Sequence, residues 1–255
     1  MTHRRLVLLA VALPLAVQAD ESGFRSVGLG LSASQGIYAG KDRSMSLVPL
    51  LHYESERLFV RGLTGGVHLY QNESFGLDAI VAGRFDGIDA DDFGREELLE
   101  NGIDRDLLED RDNGLDLGLR ATWRGAAGEL QASARGDISG ASDGYELSLE
   151  YGYPFSVAGA EVMPSLTMNY LSDKLANYYY GTLSEEEARG VSRYRPGSAF
   201  VPGVALSVAK PLGERWLLNA EASYQSLPDR ITDSPLTEGD SGVFGVKVGL
   251  SWVFD

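Results

Sequence analysis

The last thirteen residues, VFGVKVGLSWVFD (243–255), alternate between large apolar side chains and small or polar ones. From Phe244 onward every even position is large and apolar, whereas Gly245, Lys247, Gly249 and Ser251 stand between them. Side chains of a β-strand point alternately to its two faces, so this segment is predicted to be a strand with one apolar face. That face must pack against either a protein core or lipid.

The same alternation recurs along the chain in segments of about ten residues, the length that a tilted transmembrane strand needs. Many of the apolar rows end in an aromatic ring, as two interfacial girdles require. Charged residues such as Arg120 and Lys247 fall mid-strand on the opposite face. This combination favours an all-β, antiparallel transmembrane barrel over a soluble β-sandwich.

The connections between the segments predict the topology. Tight turns near 54–57, 124–128, 156–159 and 211–214 alternate with long loops at 86–113, 171–197 and 227–241. Outer-membrane barrels have short periplasmic turns, long extracellular loops and an even strand number. The segments give twelve strands if 57–71 is two short strands bent at Gly65-Gly66, and eleven if it is one. A total of eight to ten strands is the alternative if some of the segments are not strands.

The N-terminus predicts export. Arg4 and Arg5 precede an apolar stretch, and Val17-Gln18-Ala19 fits a cleavage site, which together are typical of a secretory signal peptide over 1–19. The apolar run is too short for a spanning helix. Residues 20–255 contain no linker-like segment and are predicted to form one barrel domain in the outer membrane of a Gram-negative bacterium.

Composition excludes several functions. The formal net charge is −15, which disfavours binding to nucleic acid or to an anionic surface. Cysteine is absent, so disulfides and thiolate chemistry are excluded. His52 and His68 lie on predicted strands without a nucleophile motif nearby, so we expect no enzyme activity and assign no catalytic residue, cofactor or metal.

The inward faces of the strands carry charges of both signs. Adjacent hairpins are expected to place Asp116, Arg135 and Glu146 side by side. Paired charges that fill and plug a narrow lumen are the favoured interpretation, and a cation-preferring pore is the alternative. The predicted lumen charges are Arg84, Asp116, Arg120, Arg135, Glu146, Glu150, Glu221 and Lys247.

Two loops have local features. The loop 86–113 holds twelve acidic residues and three arginines between Asp86 and Asp112, which indicates a solvated acidic cap. Calcium binding is an alternative, although the residue order of an EF-hand is absent. A short helix is expected over Arg95–Asn101 with Gly102 as its stop. In the loop 172–197, Ser184 with Glu187 fits a capping box at the start of another helix.

Several short motifs resemble the MltA-interacting protein (MipA/OmpV) family over nearly the whole chain after residue 19. The most specific are Asn177-Tyr178-Tyr179-Tyr180-Gly181, then Glu186-Glu187-Ala188, then Tyr194-Arg195-Pro196-Gly197. Others are Ile231-Thr232-Asp233-Ser234-Pro235, Leu58-Phe59-Val60-Arg61-Gly62, Arg84-Phe85-Asp86-Gly87 and Glu109-Asp110-Arg111-Asp112.

The resemblance implies an outer-membrane barrel that acts as a scaffold for a murein lytic transglycosylase and a murein synthase. A small-solute pore or a surface-exposed adhesin or antigen is the alternative. The family supplies no catalytic residues. The motif positions that would contact a partner or the lumen are Tyr178, Tyr179, Tyr180, Gly181, Glu187, Tyr194, Pro196, Asp233, Ser234 and Pro235.

The final strand is predicted to close the barrel by pairing with the strand around Val27 to Ala33, because an open edge in hydrocarbon leaves backbone groups unsatisfied. Its apolar face then contacts outer-membrane lipids, and Lys247 points into the lumen. The C-terminal aromatics Trp252 and Phe254 resemble the signal that the barrel assembly machinery reads. Asp255, which follows Phe254, does not fit that signal.

Overall fold

The computed structural model describes residues 25–41 and 43–254. The predicted signal peptide and Asp255 lie outside the described residues. No helix in the described part of the chain is long and apolar enough to cross a membrane.

Thirteen strand segments form one antiparallel sheet that closes on itself. The segments are β1 Arg25–Gln35, β2 Arg43–Glu54, β3 Leu58–Arg61, β4 Thr64–Gln71, β5 Phe75–Arg84, β6 Gly114–Gly125, β7 Gly128–Asp137, β8 Tyr145–Gly152, β9 Phe155–Val157, β10 Ala160–Leu171, β11 Ala199–Leu212, β12 Trp216–Ser226 and β13 Gly242–Phe254. Both β8 and β9 pair with β10 and are two pieces of one barrel strand. The barrel therefore has twelve strands, as predicted.

Closure occurs where the alternation of the last strand predicted it. Strand β13 pairs with β1 in a register that sets Phe254 opposite Arg25 and Lys247 opposite Ser32. The bend in 57–71 was predicted at the wrong place. The hairpin turns at Gly62-Leu63, whereas Gly65 and Gly66 lie inside β4 and pair with β5. The glycine pair lies within the ladder because Gly62 supplies the positive φ of 61° that this tight turn needs.

Apolar side chains cover the outside of the barrel. Leu29, Leu117 and Val248 are each about half exposed, as expected of a lipid-facing surface. Aromatic rings gather at both ends of this apolar band: Trp216 packs edge-on against Trp252 at one end, and Tyr170 packs against Phe200 at the other. The outer surface therefore has the two girdles that the strand ends predicted.

The long loops all leave one end of the barrel and fold together over its mouth. We refer to residues 36–41, 85–113, 172–198 and 227–241 as the cap. It contains four short helices and two 3-10 turns: α1 Arg95–Glu100, α2 Asp173–Tyr180, α3 Ser184–Ala188, α4 Asp229–Thr232, Ala90–Asp92 and Arg105–Leu107. The other ends of the strands are joined by turns of a few residues.

The cap has its own hydrophobic core. Nine buried residues from several loops form its main cluster: Tyr38, Ala39, Ile88, Phe93, Leu98, Ile103, Leu108, Val191 and Leu236. Five of these belong to the acidic segment 86–113. The acidic residues of that segment lie mostly at the surface, while its apolar residues build the cap.

Two predicted helix ends can be compared with the structure. The α1 helix ends at Glu100 with Asn101 as its C-cap, and Gly102 follows with a φ of 76°, so it stops the helix as the sequence indicated. The capping box of α3 was assigned one residue too late. Leu183 is the N-cap, and Glu186 rather than Glu187 accepts its backbone N–H at 2.7 Å. Glu186 takes this role because it is buried, whereas Glu187 points toward solvent and pairs with Arg195.

Candidate functional site

A cluster of charges lies inside the barrel beneath the cap. Strands β5, β6, β7 and β8 each contribute one inward side chain to it. The two Nη atoms of Arg84 donate to Asp116 at 2.6 Å and to Glu146 at 3.0 Å. Arg135 donates to Glu146 at 2.9 Å and lies 3.6 Å from Asp116. The neighbouring strands thus bring Asp116, Arg135 and Glu146 side by side, and Arg84 joins them.

A second cluster lies nearer the short-turn end. The ring of His68 is almost wholly buried between two carboxylates, with Nδ1 2.7 Å from Asp78 and Nε2 2.8 Å from Glu54. Arg61 makes a two-pronged contact with the same Glu54. Both clusters place paired charges inside the lumen, as the sequence predicted.

The remaining predicted lumen charges are less tightly paired. Lys247 lies 4.0 Å from Glu221 across β12 and β13. Glu150 is half-buried on β8. Arg120 is 7% exposed, its Nε has no hydrogen-bond partner, and its guanidinium makes no salt bridge with any residue in 25–41 or 43–254.

A cavity of about 250 Å³ separates the lumen charges from the underside of the cap. The α2 helix forms part of its roof through Leu175 and Tyr179. The cap therefore sits on the barrel mouth as a lid whose inner face touches an internal space.

One buried ion pair joins the two largest loops of the cap. Arg111 and Glu186 are both fully buried, and the guanidinium donates to both carboxylate oxygens, at 2.6 and 3.0 Å. Arg111 also donates to the carbonyls of Tyr178, Glu109 and Gly181. Because every polar group of this guanidinium has a partner, the pair satisfies the condition under which a buried charge is tolerated.

The three consecutive tyrosines join α2 to two other segments of the cap. The Tyr178 hydroxyl accepts the Asp112 backbone N–H at 2.8 Å, and the Tyr179 hydroxyl donates to the Asp112 carbonyl at 3.1 Å. The Tyr180 ring stacks near Tyr38, with ring centres 6.2 Å apart. All three lie on the helix α2, which lets the three rings diverge.

The other motif residues lie at the same joints. A Cβ on Gly181 would come within 2.9 Å of two backbone oxygens, so the chain approaches too closely for a larger residue. The Ser234 hydroxyl donates to the Tyr180 carbonyl at 2.6 Å. Further contacts are made by Tyr194 to the Arg230 carbonyl, by Pro196 against Gly181, by the Pro235 carbonyl to Asn101, by the Asp233 N–H to Asp229, and by Glu187 to Arg195.

Burial and charge shift the pKa values of several cap groups. Desolvation raises the pKa of Tyr38, Tyr179 and Tyr180 above that of a free tyrosine. Outside the core, the Arg95 guanidinium lowers the pKa of Asp106 through a direct hydrogen bond. The buried tyrosines are therefore neutral at physiological pH.

Sequence reasoning did not single out Arg111 and Glu186 as site residues, although both stand within the quoted motifs. The residues next to them in the sequence are also charged. The sequence alone therefore does not show that Arg111 and Glu186 are buried while the charged residues beside them are in solvent. In the described ranges, no three His, Asp or Glu side chains are grouped closely enough to hold a metal ion.

At the other end of the barrel, Trp252 packs against Trp216 and Phe254 lies exposed at the rim.

A closed twelve-stranded barrel with a lipid-facing apolar band, a charge-filled lumen and a folded loop cap defines an outer-membrane β-barrel protein. The model of the MltA-interacting protein MipA family matches residues 27–254. The chain belongs to this family, as its motifs indicated.

Its relatives are named for their location or for a partner. The chain is 30% identical to the putative outer membrane protein YiaT of Escherichia coli, over 100% of both chains. It is 27% identical to the MltA-interacting protein of Escherichia coli, again over 100% of both chains. Among solved structures, an outer membrane channel from Pseudomonas putida F1 aligns with a TM-score of 0.42 and 12% identity, over 93% of this chain and 100% of that chain.

Proposed function

We propose that this protein is a non-catalytic outer-membrane scaffold that binds murein-processing enzymes, with a lytic transglycosylase as its first partner and a murein synthase as its second. The observation that carries the proposal is the end-to-end similarity to a relative named MltA-interacting protein. Murein lies on the periplasmic side of the outer membrane, so such partners would meet the short-turn end of the barrel.

The contacts within the cap support binding of the partners at the short-turn end. Tyr179, Gly181 and Ser234 are buried in contacts between loops of the same chain, so they hold the cap together and are not free to bind a partner. On this proposal the family motifs stabilise the cap that covers the barrel mouth and do not form the docking surface.

The short turns offer a compact charged surface. Glu56 and Arg57 lie exposed between β2 and β3, and Glu214 lies exposed between β11 and β12. Small turns on a rigid barrel move little, so a partner would bind them at low entropic cost. We assign the docking surface to these turns.

The test is binding of a purified lytic transglycosylase of the MltA class to the full barrel in lipid nanodiscs, measured by surface plasmon resonance. We expect saturable binding to the native chain. The double charge reversal Glu56→Lys with Arg57→Glu is expected to weaken it at least tenfold.

The matched control reverses two exposed charges of the cap, Glu185→Lys with Arg193→Glu, and should leave binding within twofold. No binding to the native barrel would refute the scaffold proposal. Binding lost through the cap variant but kept in the turn variant would move the docking surface to the opposite end.

A further inference from the structure

The barrel wall is incomplete beside the upper part of β2. This strand pairs with β1 along its whole length, from Arg43 to Tyr53. On its other side it pairs with β3 only from His52 to Glu54, and one more backbone bond joins the Gly62 N–H to the Leu51 carbonyl. The β3–β4 hairpin turns back at that level. No described strand continues beside 43–50.

The backbone direction of β2 identifies the groups left at this edge. Because the Leu51 carbonyl points toward the hairpin, the odd-numbered residues of β2 direct their backbone groups to that side. Going up the strand these are Pro49, Leu47 and Met45. Proline lacks an N–H and occurs in sheets at edges and interruptions. Pro49 therefore stands where a missing donor costs nothing, which is independent support for an open edge.

Such an edge is not tolerated against lipid alone, because hydrocarbon offers its backbone groups no partners. Irregular backbone at membrane depth is tolerated where it lines an internal space. The gap beside 43–50 therefore needs either packed protein or an internal cavity behind it. We refer to it as the side window.

The internal cavity has an apolar wall on β5, next to the top of the β3–β4 hairpin that borders the side window. Thr64, at the top of the hairpin, pairs with Ala82 of β5, and both line the cavity together with Ile80. Ile37, at the top of β1, lines it as well. On β2, Val48 is buried and points inward. An apolar molecule passing through the side window would meet an apolar surface first.

The opposite wall of the cavity is polar and holds a cation that makes no salt bridge with any residue in the described ranges. Arg120 lines the cavity beside Gln131 and Ser133. Asp78, opposite it on β5, and Glu150 on β8 attract this charge, but neither forms a salt bridge with it, and the Asp78 carboxylate contacts His68 instead. A buried guanidinium without a direct ion pair is costly unless a ligand supplies one.

We propose that the cavity binds a small amphipathic monocarboxylate, such as a medium-chain fatty acid, which enters from the membrane through the side window. The carboxylate pairs with Arg120, and the apolar chain lies along Ile80 and Ala82 toward the gap. A volume of about 250 Å³ holds a molecule of this size. This inference does not depend on the scaffold proposal, since it concerns the lumen and not the short turns.

The first test measures binding of carboxyl-labelled decanoate to the barrel in phospholipid nanodiscs by carbon NMR, with empty nanodiscs as background. We expect one saturable site. Arg120→Gln should weaken binding about tenfold or more, because a charge-assisted hydrogen bond is lost. Arg57→Gln, which makes the same charge change at an exposed turn, should leave it within twofold. Decanol and decylamine should not compete.

The second test addresses the route. Ala82→Leu narrows the apolar wall at the side window and should slow or abolish decanoate uptake from the bilayer. Ala132→Leu adds the same atoms on the lipid face of β7 and should have no effect. Heat-modifiable gel migration verifies that each variant forms a closed barrel. If Ala82→Leu fails to assemble, amide exchange at Thr64 of the native barrel gives a second readout, and decanoate should slow this exchange.

Several results would overturn the proposal. They are decanoate binding that is equal in Arg120→Gln and native protein, equal competition by decylamine, or unchanged exchange at Thr64. A stable dimer in nanodiscs that protects the Met45 and Leu47 amides would also overturn it, since the edge of β2 would then be covered by a second copy of the chain.

Discussion

The cap and the lumen handle buried charge in different ways. In the cap, Arg111 and Glu186 are fully buried, and every polar atom of the guanidinium has a partner. In the lumen, Arg84 shares its carboxylates with Arg135, and Arg120 has no ion pair among the described residues. The cap also has an apolar core, whereas the barrel carries most of its large apolar residues on the outside.

The difference reflects what holds each region in place. A barrel wall is held by its backbone ladder, so its interior side chains need not form a single tight arrangement. The loops of the cap have no continuous ladder and depend on side chains for their fold. A fully satisfied ion pair at their centre is costly to break, which fixes the loops over the barrel mouth.

The largest expected effect comes from removing one partner of the cap pair. Glu186→Ala leaves Arg111 as an uncompensated buried charge, which costs about 3–5 kcal/mol. We expect the cap to unfold while the barrel remains closed, so proteolysis should cut 85–113 and 172–198 before the strands. The neighbouring Glu187→Ala removes a surface pair worth below about 1 kcal/mol and is the control. Equal protease sensitivity of the two variants would contradict the comparison.

A smaller effect is expected from the corresponding change in the lumen. Arg84→Gln removes hydrogen bonds to Asp116 and Glu146, but Arg135 stays close to both carboxylates. The expected loss is therefore only about 2 kcal/mol. Urea unfolding of the barrel in lipid vesicles measures it. A loss larger than that caused by Glu186→Ala would reverse the order of the two regions.

The next prediction concerns β13, the strand that closes the barrel wall. Phe254 lies at the exposed rim beside Arg25 of β1, and the C-terminal sequence predicts that it forms part of the assembly signal. Phe254→Ala should lower the amount of assembled, heat-modifiable barrel by about half or more. Deletion of Asp255 should have a smaller effect. Equal losses from the two changes would count against the assembly role.

The smallest effect concerns the pH stability of the cap. Burial raises the pKa of Tyr38 and Tyr179, so the folded cap favours their neutral forms. This contribution is fully present below the unfolded tyrosine pKa of about 10 and falls as the pH rises above it. Tyrosine absorbance should show ionisation delayed relative to the unfolded chain. Titration of all tyrosines near pH 10 with the cap intact would contradict the assignment.

The strands were largely predictable because alternation is a local property of the sequence. Closure of β13 on β1 and the total of twelve strands both follow from it. The turn at Gly62-Leu63 was misplaced because the adjacent glycine pair gave a stronger local signal. The short helices of the cap were predicted, but its packing could not be, since its core joins residues such as Tyr38 and Leu236 from distant loops. Burial of Glu186 rather than Glu187 is decided by the same tertiary contacts.

The most direct test of the account is single-channel recording of the native protein in a planar bilayer, beside Glu186→Ala. A cap held by the Arg111–Glu186 pair should keep the native barrel closed, with no steady conductance, and the variant should show frequent openings because its lid is released. A steady open pore in the native protein would contradict the account.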